Sequence, residues 1–189
     1  MTEERLYNSL IAKSYLEYLN NYYPDLDTAE LLEYAGIASY EIADRGHWLT
    51  QSQVNRFHEY MRRQTGNPDL AREVGRYISS PQSAISKILH QSMAGFLSPA
   101  MAYWAVEKIA MNQSRHTSIR SRNLKENKIE LLATPNPGVK EEPFQCNNRI
   151  GLFEAIARIF TGKFARVEHP ECIHRGDPQC RYLISWTMP

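Results

Sequence analysis

Three cysteines crowd the last quarter of the 189-residue chain, with a histidine three residues before the second: Cys146, then His169-x-x-Cys172-x7-Cys180. Thiolate and imidazole are the donors of a tetrahedral N/S zinc site, and four of them close such a site to water. The expectation is therefore a structural zinc held by Cys146, His169, Cys172 and Cys180. The odd cysteine count argues against a full disulfide scheme. Two other readings stay open: ordinary buried thiols, and a nucleophilic Cys146. Glu168 and His174 compete for the fourth ligand position, although Glu168 should point to the opposite strand face from His169. A helix start at Cys146 would favour its thiolate. The turn Gly176-Asp177-Pro178 would let Cys172 and Cys180 approach.

Positioning those residues needs a helix after Cys146 and two strands around the 170–179 loop. Ile150, Phe153, Ala157 and Phe160 recur at helical spacing and Gly162 stops them, so the pattern predicts a helix over 147–161 capped by Asn147 or Asn148. Segments 163–169 and 180–186 read as closing strands. Segments 116–122 and 128–134 read as a hairpin turning at 124–127. The first two-thirds is helical. Residues 3–22 carry a Tyr-rich apolar stripe ended by Pro24, and 27–35 stop at Gly36. Thr50 and Gln53 form a capping box, and Asn67-Pro68-Asp69 starts another helix. Further helices are expected over 82–95 and 99–112. Helices followed by strands predict an α+β fold with an antiparallel sheet. The boundaries expected are an N-terminal helical extension over 1–45, with its tyrosines as a dimerisation surface, and one small-molecule-binding domain over 46–187.

Composition narrows the function. Lys+Arg number 22 and Asp+Glu 21, so no strong field points to nucleic acid or an anionic membrane. No apolar run reaches the length of a bilayer span, and the acidic start MTEERLYNSL has no signal-peptide character. These features predict a cytoplasmic protein. The chain stops directly after a predicted strand, as an input domain separated from its effector would.

The stretch from Cys146-Asn-Asn-Arg149 through Glu168-His169-Pro-Glu-Cys172 to Cys180-Arg-Tyr182-Leu-Ile184-Ser-Trp186 resembles the 4-vinyl reductase domain family. The resemblance is strong over about 125–187 and loose over 50–112. It implies an α+β ligand-binding fold, shared with haem-based nitric-oxide sensors and vesicle-tethering subunits. It also implies a zinc near an apolar pocket, and a role as sensory input to bacterial sensor kinases and aromatic-responsive regulators. In those regulators three Cys and one Glu hold the metal. The Cys positions fall on Cys146, Cys172 and Cys180, and the Glu position falls on His169. The expected ligand is a small apolar or aromatic molecule, walled by Phe96, Tyr103, Trp104, Ile129, Leu131 and Phe144. Haem, which would need a proximal His on a helix in an apolar cavity, is disfavoured: His58 and His90 are on predicted helices, but a helical His is more often a surface or satisfied residue. The resulting expectation is a non-enzymatic two-component input domain, forming a homodimer. A tetrapyrrole vinyl reductase or its accessory factor is the alternative reading, but it would need a hydride donor and the sequence shows no Gly-rich dinucleotide fingerprint; a scaffold or interaction module is the third.

Overall fold

Asn8 sets the first helix. Its side chain accepts from Leu10 N–H at 2.9 Å, so the chain before it stays extended as β1 (Arg5–Asn8) and α1 runs Ser9–Tyr22. In the computed structural model, which describes residues 3–44, 46–83, 86, 95, 96, 98–113 (side chains to 107) and 115–188, the predicted helix over 3–22 is thus a strand and a shorter helix. Asp27 caps α2 (Thr28–Ala35), which Gly36 ends in the left-handed region. A short α3 (Ser39–Ala43) and β2 (Trp48–Thr50) follow; neither has a sequence signal long enough to read. The Thr50–Gln53 capping box forms as expected and opens α4 (Gln51–Thr65). Next come α5 (Leu70–Tyr77) and α6 (Pro99–Gln113). The helix expected over 82–95 lies mostly outside the described residues.

The N-terminal segment is no separable extension. Its strand β1 pairs antiparallel with β2. Tyr15 and Leu19 lie in one apolar cluster with Phe57, Met61 and Val74 of α4 and α5. That cluster consumes most of the tyrosine stripe: Tyr15 and Tyr18 are buried, and Tyr22 remains exposed.

The C-terminal half is a four-stranded antiparallel sheet in the order β3-β4-β6-β5, with β3 at Thr117–Lys125, β4 at Lys128–Pro135, β5 at Arg166–Glu171 and β6 at Cys180–Ser185. The hairpin turns at Asn127, whose φ of 57° suits an asparagine. Helix α7 spans Pro143–Thr161, four residues earlier than predicted. Pro143 occupies its first turn, where a missing N–H costs nothing, and Glu142 caps it rather than Asn147 or Asn148. One face of the sheet and helices α6 and α7 enclose the second apolar cluster, which includes Tyr103, Ile129, Leu131, Phe153, Tyr182 and Ile184. The α+β class, helical first and sheet last, is as expected.

The two halves meet where α5 crosses α7. Gly75 and Gly151 face the opposing backbone, and a Cβ on Gly151 would sit 1.9 Å from the Arg72 carbonyl oxygen. Beside that crossing the buried Glu154 accepts from both Arg72 and Arg76, with Arg76 Nε at 2.6 Å. No helix among the described residues is long and apolar enough to cross a membrane.

Candidate functional site

Helix α7 delivers Cys146 within its first turns, β6 delivers Cys180, and the loop between β5 and β6 delivers Cys172. All three are buried, and their sulfurs lie within 4.8 Å of one another. Cys146 and Cys180 are 3.5 Å apart, sulfur to sulfur. The loop is held by Asp177, whose carboxylate accepts from Cys172 N–H at 2.7 Å, and by the turn Ile173–Arg175. Cys180 is held low by the Cys146 S–H, then by His169, the Ile173 N–H and the Arg149 cation; Cys146 is pushed up by the same bond and by burial.

The fourth predicted ligand, His169, is stacked flat on Tyr182, ring centroids 4.3 Å apart, and its Nε2 has no partner. His174 lies in the exposed turn, and Glu168 points to the solvent face of β5. The structure thus gathers the three cysteines as the sequence spacing predicts.

A polar network that sequence reading missed lies beside this cluster. Arg149 of α7 is buried and pairs with Glu141, while also donating to Thr117 Oγ1 at 2.9 Å. His116 Nε2 stands 3.0 Å from the same carboxylate. Burial works against the charge on Glu141, but His116 and Arg149 prevail and bring it down to about 2. His116 is pushed below its ordinary value, mainly by burial. Tyr7 of β1 joins the network through its ring, which lies against His116 at 4.3 Å between centroids, and its hydroxyl accepts from Gln145 at 2.6 Å. The residues come from β1, β3, α7 and the segments just before β3 and α7, so no local motif announces them.

The predicted pocket walls divide. Tyr103, Ile129 and Leu131 are fully buried together between α6 and the sheet, with Phe96 half-buried against them. Tyr103 donates to the Phe153 carbonyl at 2.6 Å, and its ring leans on Trp186 at 5.3 Å. Trp104 is 59% exposed, and Phe144 stacks on His58 at 4.0 Å outside both apolar clusters. Those two are removed from the wall. Trp186, which the sequence reading left out, is buried beside Tyr103 in the same cluster.

Comparison with known proteins gives no family model and no curated protein that matches the sequence. Solved structures do match. An H-NOX protein from S. oneidensis in the Fe(II)NO ligation state superposes with a TM-score of 0.74 at 15% identity, over 95% of this chain and 99% of that one. An Fe(II) unliganded H-NOX mutant from K. algicida gives 0.72 at 11%, over 94% and 95%. A structure described as probing heme distortion in the H-NOX family gives 0.69 at 16%, over 96% of each chain. The chain therefore has the H-NOX fold, the fold of nitric-oxide sensors.

This corrects the cofactor expectation. The structures sharing the fold are described by Fe(II) and heme, and three close thiols are not by themselves evidence of zinc. The structural zinc is withdrawn.

The described residues do not fit heme either. An axial ligand is a neutral His, a thiolate, a Met or a tyrosinate facing an apolar cavity. Helix α6 carries no histidine. Tyr103 keeps its proton, because burial pushes its ionisation far up and the hydroxyl is spent on Phe153. His116 is bound into the Glu141–Arg149 network, His169 lies against Tyr182, and the three thiols face one another. His58 is neutral, lowered to about 4 by burial and Arg62, and its Nε2 is unpartnered. Phe144 covers its ring face, however, and belongs to neither apolar cluster. His90 lies outside the described residues.

Proposed function

We propose that this chain is a sensory input domain that binds a small molecule in the apolar space between α6 and the sheet. It would pass the bound state to a signalling partner such as a sensor kinase. The observation carrying this reading is the H-NOX fold along nearly the whole of both chains. The resemblance of residues 125–187 to the 4-vinyl reductase domain supports the same class of role. So does the gathering of Tyr103, Ile129, Leu131 and Phe96 in one cluster. Apolar walls with few polar groups are the usual make-up of a ligand site.

Binding shifts a two-state equilibrium only through a difference in affinity for the two states. The α5–α7 seam is where such a difference would reach the helical half. Tyr103 is bonded to Phe153, and Phe153 is the neighbour of Glu154, which holds Arg72 and Arg76. The exposed Tyr22 is available for a homodimer contact. No catalytic arrangement enters this account, and the expectation of a non-enzymatic domain agrees with the H-NOX likeness.

The test is native mass spectrometry of protein purified from bacterial cells, beside a thermal-shift panel of apolar, aromatic and tetrapyrrole compounds. A ligand at a hundred times its Kd adds about 2.7 kcal/mol. For a chain of this size that raises Tm by roughly 5–10 °C. A panel in which no compound is retained and none moves Tm would remove the sensory reading.

A further inference from the structure

Strand β3 forms one edge of the four-stranded sheet. β4 pairs with one side of it, and among the described residues no strand pairs with the other. The ladder to β4 is regular from Thr117 to Asn123, a stretch without proline. Alternate residues of such a strand turn their N–H and C=O groups outward, the template onto which a further strand adds. The opposite edge is poorer in this respect. There β5 carries Pro170, and its ladder to β6 is irregular between Glu168 and Glu171.

The solvent face beside the β3 edge is arranged for negative charge. Ile119 is buried in the inner apolar cluster, so its strand neighbours Arg120 and Arg122 lie on the outer face. With Lys125 they give β3 three cations and no acid. Arg122 pairs with the buried Glu130 at 2.8 Å, and Arg181 Nε pairs with the same carboxylate at 2.6 Å. Both guanidinium groups are thereby held in place. Arg181 also meets Glu171 at 3.5 Å. Arg120 has no hydrogen bond or ion pair among the described residues. These three arginines and two carboxylates border a cleft of about 260 Å³. Both carboxylates are already engaged, so Arg120 is the charge left over.

A second copy of this chain does not suit the edge. Antiparallel pairing about Ser121 sets Arg120 of one copy opposite Arg122 of the other, and parallel pairing in register sets Arg120 opposite Arg120. Like charges directly opposed destabilise a strand pair, and opposite charges stabilise it. We propose that the β3 edge is the docking site for an extended acidic segment of a protein partner, which adds to the sheet as a further strand and sets carboxylates at alternate positions beside Arg120 and Arg122. The proposal rests on the sensory reading only for the partner's signalling role. Two strands join the faces: Glu130 and Arg181 border the cleft, while the adjoining Leu131 and Tyr182 lie in the inner cluster.

The probes are short capped peptides in which valine alternates with glutamate or with lysine. A third, the glutamate peptide N-methylated throughout, keeps its charge and cannot donate backbone hydrogen bonds. Binding is read in 1H–15N spectra of the full chain. The glutamate peptide is expected to move the amide peaks of residues 119–123 and to slow hydrogen exchange at the outward-facing ones. Arg120→Glu, at an exposed and unpaired position, should bind it about five-fold more weakly, one opposite-charge pair being exchanged for a like one. The lysine peptide should prefer R120E, and the methylated peptide should not bind. Equal binding of the glutamate and lysine peptides, undiminished binding of the methylated one, peaks moving only outside β3, or no binding of the glutamate peptide would overturn the proposal. A concentration-dependent dimer that shields the same amides would make a second copy the occupant and overturn it too. The experiment uses no small-molecule ligand, so its failure leaves the sensory reading standing, and a thermal-shift panel without a hit leaves the docking edge standing.

Discussion

Replacing Gly151 by alanine sets two helix backbones against each other. The added Cβ would lie 1.9 Å from the Arg72 carbonyl oxygen, 2.8 Å from its carbon and 3.0 Å from Arg76 N. Ordinary contact begins at 3.4 Å, so α5 and α7 must part by about 1.5 Å, enough to forfeit much of the dispersion across their seam. Neither partner is the end of a flexible side chain, so no rotamer change relieves the clash. The Arg72 Nε–Glu154 bond, now 3.1 Å, would lengthen beyond hydrogen-bonding range. Overpacking costs about 1–3 kcal/mol. Weakening the clamp on a buried carboxylate adds roughly 2–3 kcal/mol, below the usual range for a broken buried pair because the arginines are partly exposed and can follow it. Alanine returns up to about 1 kcal/mol of helix propensity. The net expectation is a loss of about 2–5 kcal/mol, a large part of a typical stability of about 5–15. Urea unfolding followed by far-UV circular dichroism measures it. A G151A midpoint within about 0.5 kcal/mol of wild type would refute the close crossing.

Acid should unfold the protein through Glu141. Its folded value, about 2, lies below the ordinary 4.5, so its contribution is complete above 4.5 and is lost as pH falls toward 2. This is of order 3 kcal/mol. His116, depressed by burial, acts in the same direction and begins to cost stability below its unfolded value of 6.5. Stability curves of wild type and E141Q should converge over that window, and parallel curves would refute the network. Asn8→Ala removes the α1 cap and should cost about 1 kcal/mol by chemical denaturation; no change would mean that the cap bond carries no stability. Titration with haemin should give no stoichiometric Soret complex, and one haem per chain with a sharp Soret band would overturn the donor-set argument.

What was legible in the sequence was periodic or capped. Thr50 with Gln53, Gly36, Gly66 and Gly162 marked helix ends that the structure places there. The hairpin's alternation set which faces of β3 and β4 are buried. The closeness of Cys146, Cys172 and Cys180 was also legible, because a helix and a hairpin-like loop leave few places for them. Their occupant was not. Sulfur spacing constrains geometry, whereas identity depends on donors that only the fold assembles. The Arg149–Glu141–His116 network was illegible for the same reason. Trp104 was misread because an aromatic on a helix has no face until the helix's neighbours are known; it points outward at 59% exposure while Tyr103, one residue earlier, is fully buried.

Tyr103 makes two separable contacts in the second apolar cluster. Its ring supplies surface against Trp186, and its hydroxyl supplies a bond to Phe153. Tyr103→Phe keeps the first and deletes the second. The Phe153 carbonyl remains within helix α7, so the loss is one modest bond, about 0.5–1.5 kcal/mol of stability. Tyr103→Ala deletes both and leaves a large cavity, at a cost of about 3–5 kcal/mol by analogy with other aromatic truncations. Urea unfolding of the two variants separates the roles, and a Y103F loss as large as that of Y103A would make the hydroxyl, and not the ring, the part of Tyr103 that holds this cluster together.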